Sequence, residues 1–143
     1  MTSARQLVLR ANAIFLLVAA SGGMAADLIG AFVGLGPQGV VLGNVPNAAI
    51  GFVEAHGLAF IIGVLLWRAL PSRLWHFTAV AVHVLLGTSN LVFWQLFVDM
   101  DMLAAGYITT GLHWTFVALQ LYAGLTLATE KGAPPVLRLK QMF

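Results

Sequence analysis

Five polar side chains that could bind a metal ion or transfer a proton lie within long apolar stretches of the chain: Asp27, Glu54, His56, Asn90 and His113. An ionisable group is costly to bury in a stretch that could span a membrane, so the first hypothesis for such a residue is a functional role. Neutral imidazole is the commonest metal ligand, and imidazoles with carboxylates form proton relays and non-haem metal sites. Because no His-Glu-x-x-His or similar metal-binding spacing occurs, the order along the chain does not choose among these chemistries.

All five residues fall near one depth in their apolar stretches. At a rise of ~1.5 Å per residue, Asp27, Glu54, Asn90 and His113 lie on the order of 9–11 Å from the outer helix ends, and His56 lies roughly 13 Å from its own. Polar residues that were merely tolerated would not share a depth. The sequence therefore predicts one polar layer in the outer half of the protein, formed by four helices.

The remaining polar residues leave a structural interpretation open. His83 lies deeper than the layer and shares a helix face with Asn90 and His76, since seven residues separate each pair. His83 is either a hydrogen bonder between helices or a ligand, and Asp27 with Glu54 could simply pair with neighbouring polar groups. The chain contains no cysteine, which excludes disulfides, thiolate ligands and covalent c-type haem attachment.

The elements that position these residues are predicted from composition. Of 143 residues, 60% are hydrophobic and 8% charged, whereas about a quarter of an average soluble domain is charged. Four apolar stretches, 11–33, 47–67, 74–97 and 107–128, approach or exceed the roughly 20 residues that cross a bilayer as a helix. Short connections rich in Gly and Pro make sequential helices antiparallel neighbours. The prediction is an all-α, multi-pass membrane protein of one domain, 1–143, folded as an antiparallel four-helix bundle.

The basic residues predict the orientation of this bundle. All seven fall on one side of the predicted spans: Arg5, Arg10, Arg68, Arg73, Lys131, Arg138 and Lys140. The other side carries only Asp99 and Asp101. The positive-inside rule then places both termini in the cytoplasm. The basic residues are few and lie near the ends of apolar runs, so a nucleic-acid partner is not expected.

Two segments resemble styrene oxide isomerase, a small four-span enzyme of the bacterial inner membrane. Residues 55–57 read Ala-His-Gly and resemble the Ala-His-x-Gly segment that supplies the axial ligand of haem b in that family. Residues 87–97 read GTSNLVFWQLF and resemble the family's Gly-x-x-Asn-x-x-Phe-aromatic stretch. The matches cover about a fifth of the chain. The resemblance implies that His56 is the iron ligand and that Asn90 and Trp94 line the pocket.

What the resemblance implies about activity is specific. The family forms homotrimers with haem at the subunit boundary and isomerises small hydrophobic epoxides to carbonyl compounds, ferric iron acting as the Lewis acid. In this chain Gly57 and Ala59 leave space beside His56 for a flat macrocycle. The other imidazole nitrogen of a haem ligand is normally held by a partner, and Glu54 points to another face. That partner is expected from a neighbouring helix or protomer.

The chain also departs from the family. Ile62, Leu86 and Trp94 replace the family's asparagine, aspartate and tyrosine, and His113 has no counterpart. His113 is therefore expected to act in the pocket, or His113 or His83 is a second iron ligand. Two other functions stay open: a haem protein that senses or transfers electrons, and a cofactor-free transport or assembly subunit.

Overall fold

The computed structural model describes residues 3–130, with side chains as far as Thr126. Six α-helices follow one another along the chain: α1 (Ala4–Val33), α2 (Pro37–Leu42), α3 (Ala49–Arg68), α4 (Arg73–Val92), α5 (Trp94–Asp99) and α6 (Leu103–Glu130). A 3₁₀ turn, Pro46–Ala48, leads into α3. No strand occurs in residues 3–130, so the all-α prediction is confirmed. Lys131, Arg138 and Lys140, which contribute to the predicted orientation, lie outside the described residues.

Local sequence signals set the ends of the long helices. The Ser3 hydroxyl accepts a hydrogen bond from the backbone N–H of Gln6 at the start of α1, and Ser72 does the same for Trp75 at the start of α4. Both serines satisfy backbone donors that have no partner within the first turn. α1 ends at Gly34, whose φ of 68° is left-handed. Glycine takes this conformation without the penalty of a Cβ.

The four long helices pack as two pairs. α1 lies along α3, and α4 lies along α6, with a smaller contact between α1 and α6. A cluster of buried apolar residues joins the pairs across α1, α3 and α4: Leu9, Ala13, Leu16, Leu66 and Ala79. This packing brings polar residues of the two helices in each pair into contact.

Two details differ from the sequence-based expectation. Residues after Gly34 do not form a simple turn, because Pro37 begins the short helix α2, which folds back on α1. Proline favours the first helical position because its missing N–H would have no partner there. The third apolar stretch is also not one helix, because α4 ends at Val92 and α5 begins at Trp94. A continuous apolar run does not reveal such a break.

Two of the described helical segments have the length and hydropathy needed to cross a membrane: Ala4–Val33 and Pro46–Arg68. The other two long helices carry more polar residues in their middle turns, among them His83 on α4 and His113 with Gln120 on α6. These polar residues face the interior. Their effect is to lower the mean hydropathy of α4 and α6 without exposing polar groups on the outside of the bundle.

The distribution of side chains between inside and outside is unusual. Eight polar residues are buried among the described side chains, compared with twelve apolar residues, of which six are alanine. Large apolar side chains such as Val18, Ile50, Leu85 and Ile108 are instead exposed along all four long helices. A soluble monomer rarely exposes apolar surface on this scale. The interior is therefore rich in alanine and in polar residues, whereas the exterior is largely apolar.

Candidate functional site

Asp27 on α1 and His56 on α3 form the first polar group. The Nδ1 atom of His56 lies 2.5 Å from Oδ2 of Asp27. The Asp27 side chain is fully buried, whereas that of His56 is 33% exposed. A carboxylate that accepts from Nδ1–H fixes both the tautomer and the orientation of the imidazole and leaves its Nε2 lone pair available. Asp27 is thus the partner from a neighbouring helix that the sequence leads one to expect for a ligating histidine.

One face of the His56 ring packs against Gly23 of α1, and the side chain is one-third exposed. A Cβ atom at Gly23 would collide with Nε2, Cδ2 and Cε1 of His56 at nearly equal distances. Gly23 therefore lies under the face of the ring, and not in the plane in which Nε2 would bind a metal. A Cβ at Gly57 would meet no atom within 4 Å, so open space lies beside α3 there. Ala59 lies against the apolar core.

A single imidazole oriented by a carboxylate is compatible with a haem ligand. No three His, Cys, Asp or Glu side chains cluster within the described part of the chain in a way that could hold a metal. Haem supplies four nitrogen ligands of its own and needs one imidazole from the protein. His56 offers such an imidazole, oriented by Asp27 and with small residues beside it. His56 thus supplies one donor of the kind that a haem would need.

A second group is a chain of hydrogen bonds through the interior, the core hydrogen-bond chain, made by five residues on α1, α4 and α6: His76, Gln120, Asn12, His83 and His113. Nδ1 of His76 lies 2.5 Å from Oε1 of Gln120, and Nε2 of Gln120 donates to Oδ1 of Asn12 at 2.8 Å. Nδ2 of Asn12 lies 2.5 Å from Nε2 of His83. Nδ1 of His83 lies 2.8 Å from Nδ1 of His113. All five residues are at most 8% exposed.

The amides give this chain a direction. Because Nε2 of Gln120 donates to Asn12, the oxygen of Gln120 must accept from His76, and the NH₂ group of Asn12 must donate to His83. His83 then carries its proton on Nδ1 and donates to His113. Every hydrogen bond is satisfied with one proton on each ring, as the donor and acceptor inventory of these side chains requires. The aromatic rings of Phe15 and Phe116 stack against His83 and exclude water from it.

A third group of residues surrounds an open groove near the end of α4 and the start of α6. The groove has a volume of about 430 Å³ and is lined by Leu91, Trp94, Tyr107, Thr110 and Gly111. The rings of Trp94 and Tyr107 lie 4.8 Å apart. The amide of Asn90 donates to the hydroxyls of Thr109 and Thr110 at 3.3 and 3.1 Å. The walls of the groove are mainly apolar, and the hydroxyls of Tyr107 and Thr110 and the indole of Trp94 are its polar groups.

The predicted polar layer is therefore divided among separate contacts. Asp27 and His56 belong to the α1–α3 pair, whereas Asn90 and His113 belong to the α4–α6 pair. Glu54 is exposed on α3, and none of the hydrogen bonds described involves it. His113 bonds to His83 and not to His56. The structure thus joins Asp27 with His56 and Asn90 with the Trp94 groove through Thr110.

Three buried polar residues, Asn12, Gln38 and Thr110, were not predicted from the sequence. Asn12 bridges α4 and α6, although in the sequence it is a single amide near the start of an apolar run. Gln38 is buried on α2, a helix that the Gly/Pro-rich sequence concealed. The sequence does carry a signal for α2, because a proline is favoured at the first position of a helix. No such local signal exists for Asn12.

Comparison of the chain with protein-family models, with curated proteins and with solved structures gives no match.

Proposed function

We propose that this protein is an integral membrane haem b protein in which His56 is the axial iron ligand, and that it isomerises a small hydrophobic epoxide to an aldehyde or ketone. The observation that carries the proposal is the Asp27–His56 pair, in which a buried carboxylate contacts Nδ1 of a partly exposed imidazole. The resemblance of residues 55–57 and 87–97 to styrene oxide isomerase supplies the reaction. Ferric haem, when bound, supplies a Lewis acid for the epoxide oxygen.

The arrangement of side chains supports a membrane location. A bilayer replaces water around the exposed apolar belt of α1, α3, α4 and α6, and it favours small residues and hydrogen bonds between helices in the interior. Both features are found here. The proposed protein has four spans that correspond to α1, α3, α4 with α5, and α6. It lies in the bacterial inner membrane, with both termini in the cytoplasm.

The residues of the chain have separate tasks in this proposal. His56 would bind iron through Nε2, while Asp27 contacts Nδ1 and orients the imidazole. The apolar walls of the Trp94 groove bind the substrate and exclude water, which would otherwise add to an opening epoxide. His56 and the groove lie on different helix pairs. In the trimer that the resemblance implies, His56 of one copy would hold the haem and the groove of the next copy would supply the wall for the substrate.

Two measurements on detergent-purified protein test the proposal. A Soret absorption band with about one haem per chain is expected after expression with sufficient haem supply. Incubation with aryl and alkyl epoxides should yield aldehydes or ketones without consumption of a reductant. Haem without isomerisation would favour the electron-transfer or sensing alternative, and purified protein that cannot be loaded with haem would contradict the proposal.

The groove provides a more specific prediction through Trp94. Replacement Trp94→Tyr should change the relative rates with different epoxides by about tenfold, because it adds a hydroxyl donor and shortens the wall of the groove. The haem content should stay unchanged, because Trp94 contacts Phe97 and Tyr107 and belongs to a different helix pair from His56. Rates with a panel of epoxides and the Soret absorbance per chain measure the two effects. Loss of haem in this variant would show that the groove is not the substrate site.

A further inference from the structure

Two fully or largely buried oxygen atoms lie on the facing elements α1 and α2 without a hydrogen-bond donor among the described residues. One is Oδ1 of Asp27, the oxygen that does not contact His56, and the other is Oε1 of Gln38. Asp27 is fully buried and Gln38 is 9% exposed. An unpaired buried acceptor costs about 1–3 kcal/mol, and more when it is charged. Both oxygens therefore require a donor.

The backbone places Gln38 of α2 against the turn of α1 that follows Asp27. Gly30 follows Asp27 by three residues and so lies one helical turn away on the same face. A Cβ atom at Gly30 would lie 2.8 Å from Cβ of Gln38, so the side chain of Gln38 starts directly against this turn. The chain reverses through Gly34 and Gly36, whose φ angles of 68° and 75° are left-handed. This reversal brings α2 back onto α1 beside Asp27.

The orientation of the Gln38 amide decides whether it presents an acceptor or a donor toward this turn of α1. The oxygen and nitrogen of a glutamine amide are interchanged by a rotation of 180°, and their assignment follows from the hydrogen bonds they can make. When the amide is rotated, Nε2 of Gln38 occupies the buried position of Oε1, so that a donor replaces an unpaired acceptor. A carboxylate oxygen one turn away is the acceptor that lacks a donor. The same rotation removes the unpaired oxygen of Gln38 from its buried position.

We infer that Gln38 is a positioning residue for His56, and that its amide donates a hydrogen bond to Oδ1 of Asp27 and thereby holds the carboxylate that orients the imidazole. The relay runs from α2 through α1 to α3. This inference rests on the proposed haem function for its effect on iron, but the contact between Gln38 and Asp27 is a property of the protein alone. An amide donor also withdraws charge from the carboxylate. Asp27 then attracts the Nδ1 proton of His56 less strongly.

The test compares Gln38→Met with Gln95→Met. Methionine keeps the length of glutamine and removes the amide, and Gln95 donates to Asp99 at 2.9 Å in an exposed pair, which makes it a matched control. In haem-loaded protein, Gln38→Met should lower the reduction potential, because Asp27 then polarises His56 more strongly and favours ferric iron. The Soret absorbance per chain should remain. Gln95→Met should leave the potential unchanged.

A second measurement does not depend on haem. In haem-free protein the thermal midpoints of Gln38→Met, Asp27→Leu and the double variant form a double-mutant cycle. A favourable coupling between the two positions is expected. An unchanged potential together with additive effects on the midpoint would overturn the inference and leave Gln38 as a packing residue. If wild-type protein binds no haem, the proposed function fails, while the coupling still decides whether Gln38 holds Asp27.

Discussion

His56→Ala protein, purified beside the wild type, should carry almost no haem. Removal of a residue that only orients a metal ligand already weakens metal binding by 10–100-fold, so removal of the ligand itself should exceed about 100-fold. The haem content of Asp27→Asn protein should lie between those of the wild type and His56→Ala. The asparagine keeps the shape of the side chain but is a weaker acceptor for Nδ1 of His56. The Soret absorbance per chain and the rate of haem transfer to an acceptor protein measure both effects.

Chemical rescue separates a lost ligand from a lost fold. In His56→Ala the space of the imidazole is open beside Gly23, whose missing Cβ makes room for the native ring. Imidazole added to the variant should restore a Soret band close to that of the wild type. His113→Gln is the matched histidine control, because His113 bonds to His83 in a different helix pair. Full haem in His56→Ala without imidazole would refute the assignment, and a shifted band in His113→Gln would make His113 a second ligand.

The second large effect concerns the core hydrogen-bond chain. Replacement Asn12→Leu should lower the free energy of unfolding by on the order of 2 kcal/mol. The reason is that Asn12 accepts from Gln120 and donates to His83, so its loss leaves a buried donor and a buried acceptor unpaired. Single hydrogen bonds between helices in membranes average only about 0.6 kcal/mol, and the unpaired groups supply the larger part of the effect. Unfolding by a denaturing detergent measures it.

Ser21→Leu is a suitable control for this variant. Ser21 lies on the same helix and is exposed, so the same kind of change from polar to leucine should alter the free energy by less than about 0.5 kcal/mol. A loss at Ser21 equal to that at Asn12 would mean that leucine disturbs α1 in general. A neutral Asn12→Leu would show that the core hydrogen-bond chain does not stabilise the bundle.

Much of the fold follows from the sequence because apolar length and charge are local properties. The four long helices lie where the apolar stretches are, and Ser3 and Gly34 show caps that local preference explains. The short helix α2 has a local signal in Pro37, but its return onto α1 is a tertiary contact, and the break at Phe93 has no signal in hydropathy. The stretch 91–98 is apolar apart from Gln95, so its hydropathy is the same whether the helix continues or bends.

The candidate site shows the same limit. Depth along a helix predicts that Asp27 and His56 lie at similar heights, but it does not give the direction in which each side chain points. Glu54 has a suitable depth and is nevertheless exposed on the outer face of α3. Asn12 has its role only because α4 and α6 both approach it, and that approach is a property of the assembled bundle. Rotation about the helix axis is the quantity that the sequence leaves open.

The two amides in the core hydrogen-bond chain have a consequence for the permeability of the membrane. An imidazole can accept a proton at one nitrogen and release another from the second, so a row of histidines could conduct protons. A carboxamide cannot do this, because its oxygen only accepts and its nitrogen only donates. Gln120 and Asn12 stand between His76 and His83. In the membrane location proposed above, the row would therefore tie three helices together through polar groups without conducting protons across the bilayer.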